Sequence, residues 1–289
     1  MFQKYYRPKH LAEALAILAE YEGRARVLAG GTDLIVQLNK GDISFDAVVD
    51  ITAITDLRYI MEESDGIKIG ALATHTDLAQ SPILREKVPF LADAARSVGS
   101  LQIRNVGTVG GNIVNAQPAA DTAVPLMALN AVTTVVSSGG TKQVNFEKLY
   151  HPGGGTTLDP TCELLTEVSF LSPYNAGGSG AFGRIAKRKA LSLPVFNTAV
   201  VIMPGADGIK DARIVMGPVA RVPFRARQAE QVLLNSTPGE ASFREVADAA
   251  SLEAKPRDSV FRGSTAYRKH LVRIVVYRAL TKAWDDIIL

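Results

Sequence analysis

The chain has 289 residues, 47% of them hydrophobic and 21% charged, which is enough apolar content to bury one large core or two smaller ones. Its formal net charge is only +3 and the basic residues are scattered, so composition gives no support to nucleic-acid binding. Cys162 is the single cysteine, which excludes an internal disulfide and any iron–sulfur cluster or cysteine-rich zinc site held by this chain alone.

The opening Met1-Phe2-Gln3-Lys4-Tyr5-Tyr6-Arg7-Pro8 lacks the apolar segment of a signal peptide. No later stretch approaches the roughly 18 uninterrupted apolar residues of a membrane span, so the expectation is a cytoplasmic protein. Leu11, Ala14, Leu15 and Leu18 recur at helical spacing and predict an amphipathic helix over 10–21. Val27-Leu28-Ala29 then reads as a short buried strand, closed by the pair Gly30-Gly31 and the polar Thr32-Asp33. Leu34 to Leu38 reads as one or two helical turns, which puts Thr32 and Asp33 near a helix start, where anions are favoured. Strands follow at 47–51 and 67–72, and Thr74 precedes a helix.

A helix across 90–98 leads to a second glycine loop, Asn105-Val106-Gly107-Thr108-Val109-Gly110-Gly111-Asn112. Asp121 starts a helix that runs to Leu129 with Pro125 near its first turn. Strands are predicted at 131–137, 164–171, 182–188, 199–203 and 212–216, and helices at 226–235, 241–253 and 264–284. Ser172 to Gly180 is dense in Gly, Ser, Pro and Asn, which sets a domain boundary near residue 175. The fold class is α+β.

The two glycine segments are the candidate site. Glycine lacks a Cβ and can present successive N–H groups to an anion at close range, so two such loops suit a ligand with two linked phosphates. Two tight turns in an α+β domain would give the same local pattern. Gly178, Gly180 and Gly183 match the spacing G-x-G-x-x-G, but the segment after them reads as extended rather than helical, so a turn between strands is the reading and a side chain at Gly178 should do little. His10, His75, His151 and His270 are far apart and read as surface or capping residues. Cys162 reads as a buried, inert thiol. The basic run Lys187-Arg188-Lys189 is either surface charge or one lysine turned toward an anionic ligand.

Residues 27–34 and 104–130, the latter containing Asn112-Ile113-Val114-Asn115-Ala116-Gln117-Pro118-Ala119-Ala120-Asp121, resemble the paired FAD-binding signatures of the medium, flavoprotein subunits of molybdenum hydroxylases, the xanthine dehydrogenase and carbon monoxide dehydrogenase family. The likeness extends to Phe2–Pro8, Gln102–Asn105, Lys187-Arg188 and Arg262–Arg268, nearly the whole chain.

The resemblance implies an FAD-binding domain of the vanillyl-alcohol-oxidase (PCMH) type over 1–175, built of two α+β lobes of about 1–56 and 57–175. A C-terminal α+β domain of the carbon monoxide dehydrogenase flavoprotein type would occupy 176–289. By the same resemblance, Val27, Leu28, Ala29, Gly30, Gly31, Thr32, Asp33 and Leu34 hold FAD, with the backbone of 29–33 cradling the pyrophosphate and the Thr32 hydroxyl adding a donor. Gly107, Thr108, Val109, Gly110, Gly111 and Asn112 form the opposing loop. Asp121 accepts hydrogen bonds from the adenosine ribose or neighbouring backbone, Leu164 or Leu165 packs near the flavin, and Lys187 reaches the cofactor's polar edge. No catalytic acid–base residue and no metal ligand is implied in this chain. An iron–sulfur small subunit with two-iron two-sulfur clusters and a large subunit with the molybdenum cofactor would be its partners, in a dimer of heterotrimers, and electrons would leave FAD for an acceptor such as NAD. A stand-alone flavin oxidoreductase and a non-catalytic nucleotide-binding module are the rival readings. The first needs an acid or base beside the flavin and the second predicts a colourless protein.

Overall fold

The computed structural model describes residues 2–188, 190–206 and 208–288. Three sheets organise these residues. The first is parallel, with β1 (Lys4–Tyr6), β2 (Ala25–Leu28) and β3 (Ala47–Asp50) in the order β1-β3-β2. Parallel neighbours need crossovers, and α1 (Leu11–Tyr21) and α2 (Leu34–Lys40) supply them. The predicted face of α1 is the buried one: Ala14, Leu15 and Leu18 pack in one cluster with Ala25, Ala47 and Val49. The predicted strand at 27–29 begins earlier and ends at Leu28, where its ladder partner β3 reaches Asp50. Ala29 therefore belongs to the turn.

The second sheet is antiparallel. It contains β4 (Ile60–Glu63), β5 (Gly66–Gly70), β6 (Val132–Ser137), β7 (Gly140–Asn145) and β8 (Leu164–Phe170) in the order β4-β5-β8-β6-β7. The edge strands β4 and β7 escaped prediction because they are largely exposed and polar, with no buried alternation to read. Between β5 and β6 run α3 (His75–Gln80), α4 (Pro82–Lys87), α5 (Pro89–Ser97), α6 (Leu101–Val106), α7 (Val109–Asn115) and α8 (Ala123–Ala128). The second glycine segment is thus no loop. It is the end of α6, a hinge at Gly107, and α7, which Thr108 caps by accepting the Gly111 N–H at 3.1 Å.

The third sheet carries β9 (Ser179–Ala186), β10 (Pro194–Gly205), β11 (Gly208–Gly217) and β12 (Phe224–Arg225) in the antiparallel order β12-β11-β10-β9. After it come α9 (Arg227–Leu234), α10 (Glu240–Glu253) and α11 (Thr265–Ile288). β10 is apolar on both faces because both are covered. Ala199 and Val201 join the core that contains α5 and α8, while Val200 and Ile202 join the core under α9, α10 and α11. Gly180 and Gly183 lie on β9, in line with the rejected dinucleotide fingerprint. A Cβ at Gly183 would sit 2.6 Å from Val275 Cγ1 of α11, so that glycine serves helix–sheet contact. Gly178 is tighter than its spacing suggested: a Cβ there would lie 2.7 Å from the Ile202 carbonyl oxygen, a backbone atom that cannot swing away. Cys162 is only half-buried. Among the described residues no helix is long and apolar enough to cross a membrane.

Candidate functional site

The two glycine segments, with Gly31 and Gly107 separated by 76 positions in the chain, meet in space. A Cβ on Gly30 would collide with the Val106 carbonyl oxygen and lie 2.9 Å from Gly107 Cα, so only glycine lets the turn after β2 rest on the end of α6. Gly31 has φ +68°, the left-handed region, and a Cβ there would also meet Leu28 Cδ1 at 2.9 Å. Thr32 Oγ1 lies 3.8 Å from where a Cβ on Gly107 would be. The first turn therefore sits directly over the α6–α7 hinge.

The two segments differ in what their amides do. Among the described residues, the N–H groups of Gly30, Gly31, Thr32 and Asp33 donate to no protein acceptor, while the Gly31 and Asp33 carbonyls accept from Ile35 and Gln37 in α2 at 3.1 and 3.0 Å. The amides of α7 are already used. Val109 donates to Ala73 O and Gly110 to Ala71 O, both at 2.9 Å; Gly111 donates to the Thr108 hydroxyl and Asn112 to Thr108 O at 3.0 Å. Gly110 is buried against Ala71, where a Cβ would come within 2.7 Å of Ala71 Cβ, whereas Gly111 is exposed and its Cβ would meet only Thr108 Oγ1, at 3.0 Å. These features fit an anionic dinucleotide: one run of free N–H groups with a left-handed glycine, resting on the α6–α7 hinge at Val106 and Gly107, with Gly111 exposed one turn further along α7.

Behind α7 a polar line crosses to the third sheet. Thr122 donates to Asn112 Oδ1 at 2.9 Å. Its neighbour Asp121, buried, accepts from Arg184 Nε at 3.1 and 3.2 Å and from Asn197 Nδ2 at 2.7 Å. Burial pushes the Asp121 carboxyl up, against the opposing pull of Arg184 and Asn197. Arg184 also donates to the Ser192 carbonyl oxygen. In this geometry Asp121 is a strut between α8 and the β9–β10 pair, a role its position at a helix start did not reveal.

The remaining predicted residues are spread around these two. Val27 and Leu28 end β2, and Leu34 opens α2. Leu164 and Leu165 are both buried, in different cores: Leu164 packs in the cluster of the first sheet, Leu165 in the central cluster with Val109 and Ile113 of α7. Lys187 is exposed just beyond β9 and lines a small cleft of about 140 Å³ with Ile185, Val195, Arg262 and Tyr267. Lys189 lies outside the described residues. His75, read as a surface or capping group, is buried at 2% exposure, and its backbone N–H donates to Gly107 O at 3.0 Å. The available signal was the shared face of His75 and Leu78, three apart on α3 after the Thr74 capping box.

Residues 1–170 match the family described as FAD binding domain in molybdopterin dehydrogenase, and residues 181–283 match the CO dehydrogenase flavoprotein C-terminal domain. The chain belongs to this family of FAD-binding flavoproteins. The glyceraldehyde dehydrogenase medium chain of Sulfolobus acidocaldarius is 32% identical over 275 residues, covering 95% of this chain and 96% of that one. The xanthine dehydrogenase FAD-binding subunit of Escherichia coli O157:H7 is 31% identical, covering 98% and 96%. Among solved structures, the carbon monoxide dehydrogenase of Hydrogenophaga pseudoflava superposes with a TM-score of 0.93 at 29% identity, covering 99% of this chain and 98% of that one. The family's two-part architecture, an FAD-binding domain followed by a flavoprotein C-terminal domain, is the architecture of this chain, and the chain is an FAD-binding medium subunit of an oxidoreductase of the molybdenum hydroxylase type.

Proposed function

We propose that this subunit is an electron relay. It takes electrons from two-iron two-sulfur clusters of a small partner subunit and delivers them to a final acceptor such as NAD, while substrate is hydroxylated at a molybdenum cofactor in a large subunit. The observation that carries the reading is the free-amide turn at 30–33 pressed against the α6–α7 hinge, in a chain that matches its relatives end to end. Bound FAD supplies the exchange of electrons between one-electron clusters and a two-electron acceptor.

The chain's own residues hold and orient that cofactor. The N–H groups of Gly30 to Asp33 take the diphosphate oxygens, and the Thr32 hydroxyl adds a donor. Gly111 and Asn112 form the opposing wall, in which α7 acts as a rigid surface and its own amides stay with the protein. Asp121 fixes that wall to the third sheet through Arg184 and Asn197. Leu165 supports α7 from below, Leu164 closes the neighbouring core, and Lys187 on its cleft supplies a cation for the cofactor's polar edge. We take residues 1–175 as the FAD-binding unit and 176–289 as the C-terminal one, and place the assembled dimer of heterotrimers in the cytoplasm.

Purification tests this. The chain expressed with large and small subunits of the proposed kind should co-purify with iron, molybdenum and FAD, and NADH should reduce its flavin bands if NAD is the acceptor. A colourless chain that takes up no FAD on reconstitution would refute the reading, and an FAD-loaded chain that turns over substrate alone would favour the stand-alone oxidoreductase.

A further inference from the structure

One buried ring atom beside the two glycine segments has no partner among the described residues. The His75 ring presents its Cδ2 edge to the hinge, 3.4 Å from where a Cβ on Gly107 would stand, and Thr32 Oγ1 lies 3.8 Å from the same point. Its Nδ1 is sealed from solvent and makes no hydrogen bond among the described residues. Native interiors rarely leave such an atom unpaired, and an unpaired acceptor is tolerated better than an unpaired N–H. The proton of the neutral ring therefore belongs on Nε2, the nitrogen bonded to Cδ2 on the hinge side. Nε2 makes no hydrogen bond to protein among the described residues and, unlike Nδ1, is not sealed.

Its electrostatic setting points the same way. Burial, and after it the charge of Arg104 on α6, push the imidazole down to about 4, so the ring is neutral near pH 7. Arg104 donates to the Val98 carbonyl oxygen at 2.9 Å, and no carboxylate pairs with it among the described residues. A cation without a counter-ion and a donor without an acceptor thus flank one hinge, against the turn with free amides.

We propose that His75 is a further cofactor-binding residue, a neutral imidazole whose Nε2–H donates to a diphosphate oxygen of FAD held between the two glycine segments. The inference rests on the FAD reading above. It adds a third contributor, from α3, to a site otherwise built from the β2–α2 turn and α7.

The test uses the full chain stripped of flavin and retitrated with FAD, following flavin fluorescence. His75→Leu should raise the Kd at least about tenfold, whereas His75→Gln, which keeps a side-chain N–H, should stay within about threefold. Phosphorus NMR of bound FAD should show the diphosphate resonances moved in His75→Leu and nearly restored in His75→Gln. Thermal melts of the flavin-free variants check their folding. If His75→Leu does not fold, nitrogen NMR of the wild-type imidazole decides: FAD should shift His75 Nε2 while leaving it protonated. Wild-type FAD binding with an unmoved Nε2, or an unchanged Kd in a folded His75→Leu, overturns the inference and leaves the FAD reading intact. Failure of the wild-type chain to bind FAD overturns the reading on which it rests.

Discussion

The turn at 29–33 and the helix at 109–115 carry similar glycine pairs and use them for opposite purposes. In the turn, Gly31 supplies a left-handed φ and Gly30 a close approach, and the amides between them stay free. In the helix, Gly110 lets α7 lie flat on Ala71, while the first amides are consumed by Ala71, Ala73 and Thr108. On the proposed reading the turn offers its free amides to the cofactor and the helix serves as a wall, so damage to the turn should show first in FAD binding, and damage behind the helix first in stability.

The largest effect should come from the anchor of the wall. Asp121→Ala leaves the part-buried Arg184 and the buried Asn197 without their carboxylate and should cost about 3–4 kcal/mol in urea unfolding; a loss below about 1 kcal/mol would show that α7 does not depend on this strut. Gly30→Ala drives a Cβ into the Val106 carbonyl and should cost about 3 kcal/mol and abolish FAD retention, measured by flavin content after gel filtration. Retained flavin would mean the two segments can separate without consequence.

The hinge between them should carry a pH signature. The folded His75 titrates near 4 and the unfolded one near 6.5, so the unfolded chain binds the extra proton in that window. Stability of the flavin-free protein should therefore fall as pH drops from about 6.5 to 4, by on the order of 3 kcal/mol, and stay level above it. His75→Gln should flatten that slope in chemical melts; a slope of equal size in the variant would assign it to other groups.

Two smaller changes sharpen the contrast. Thr108→Ala removes the cap of α7 and should cost about 1 kcal/mol of stability with little change in FAD affinity, since the amide it frees donates within the protein. Gly111→Ala should change stability by no more than about 1 kcal/mol, the gain in helix propensity being offset by a 3.0 Å approach to the capping Thr108 hydroxyl, while weakening FAD by filling the bare wall. Equal FAD affinity in Gly111→Ala would turn that face of α7 away from the cofactor.

Much of this was legible from residues alone because its causes are local. The apolar periods that build α1, β10 and β11, the capping position of Thr74, the extended reading of 182–187 and both glycine segments follow from spacing and residue type. Edge strands β4 and β7 were not legible, since a strand exposed on both faces carries no alternation.

What only the tertiary structure decided concerns partners distant in the chain. Pattern marked Gly107 to Asn112 as glycine-rich, but whether those amides are free depends on Ala71 and Ala73, which lie some 35 residues earlier and are brought there by the return of β5. Pattern marked Asp121 as a polar residue at a helix start, but Arg184 and Asn197 come from another sheet. His75 looked like any exposed histidine until the hinge closed over it. The sequence by itself determined which segments could meet a phosphate, because backbone freedom belongs to single residues; which of them still has hydrogen bonds to give was settled by packing, because that is a property of pairs.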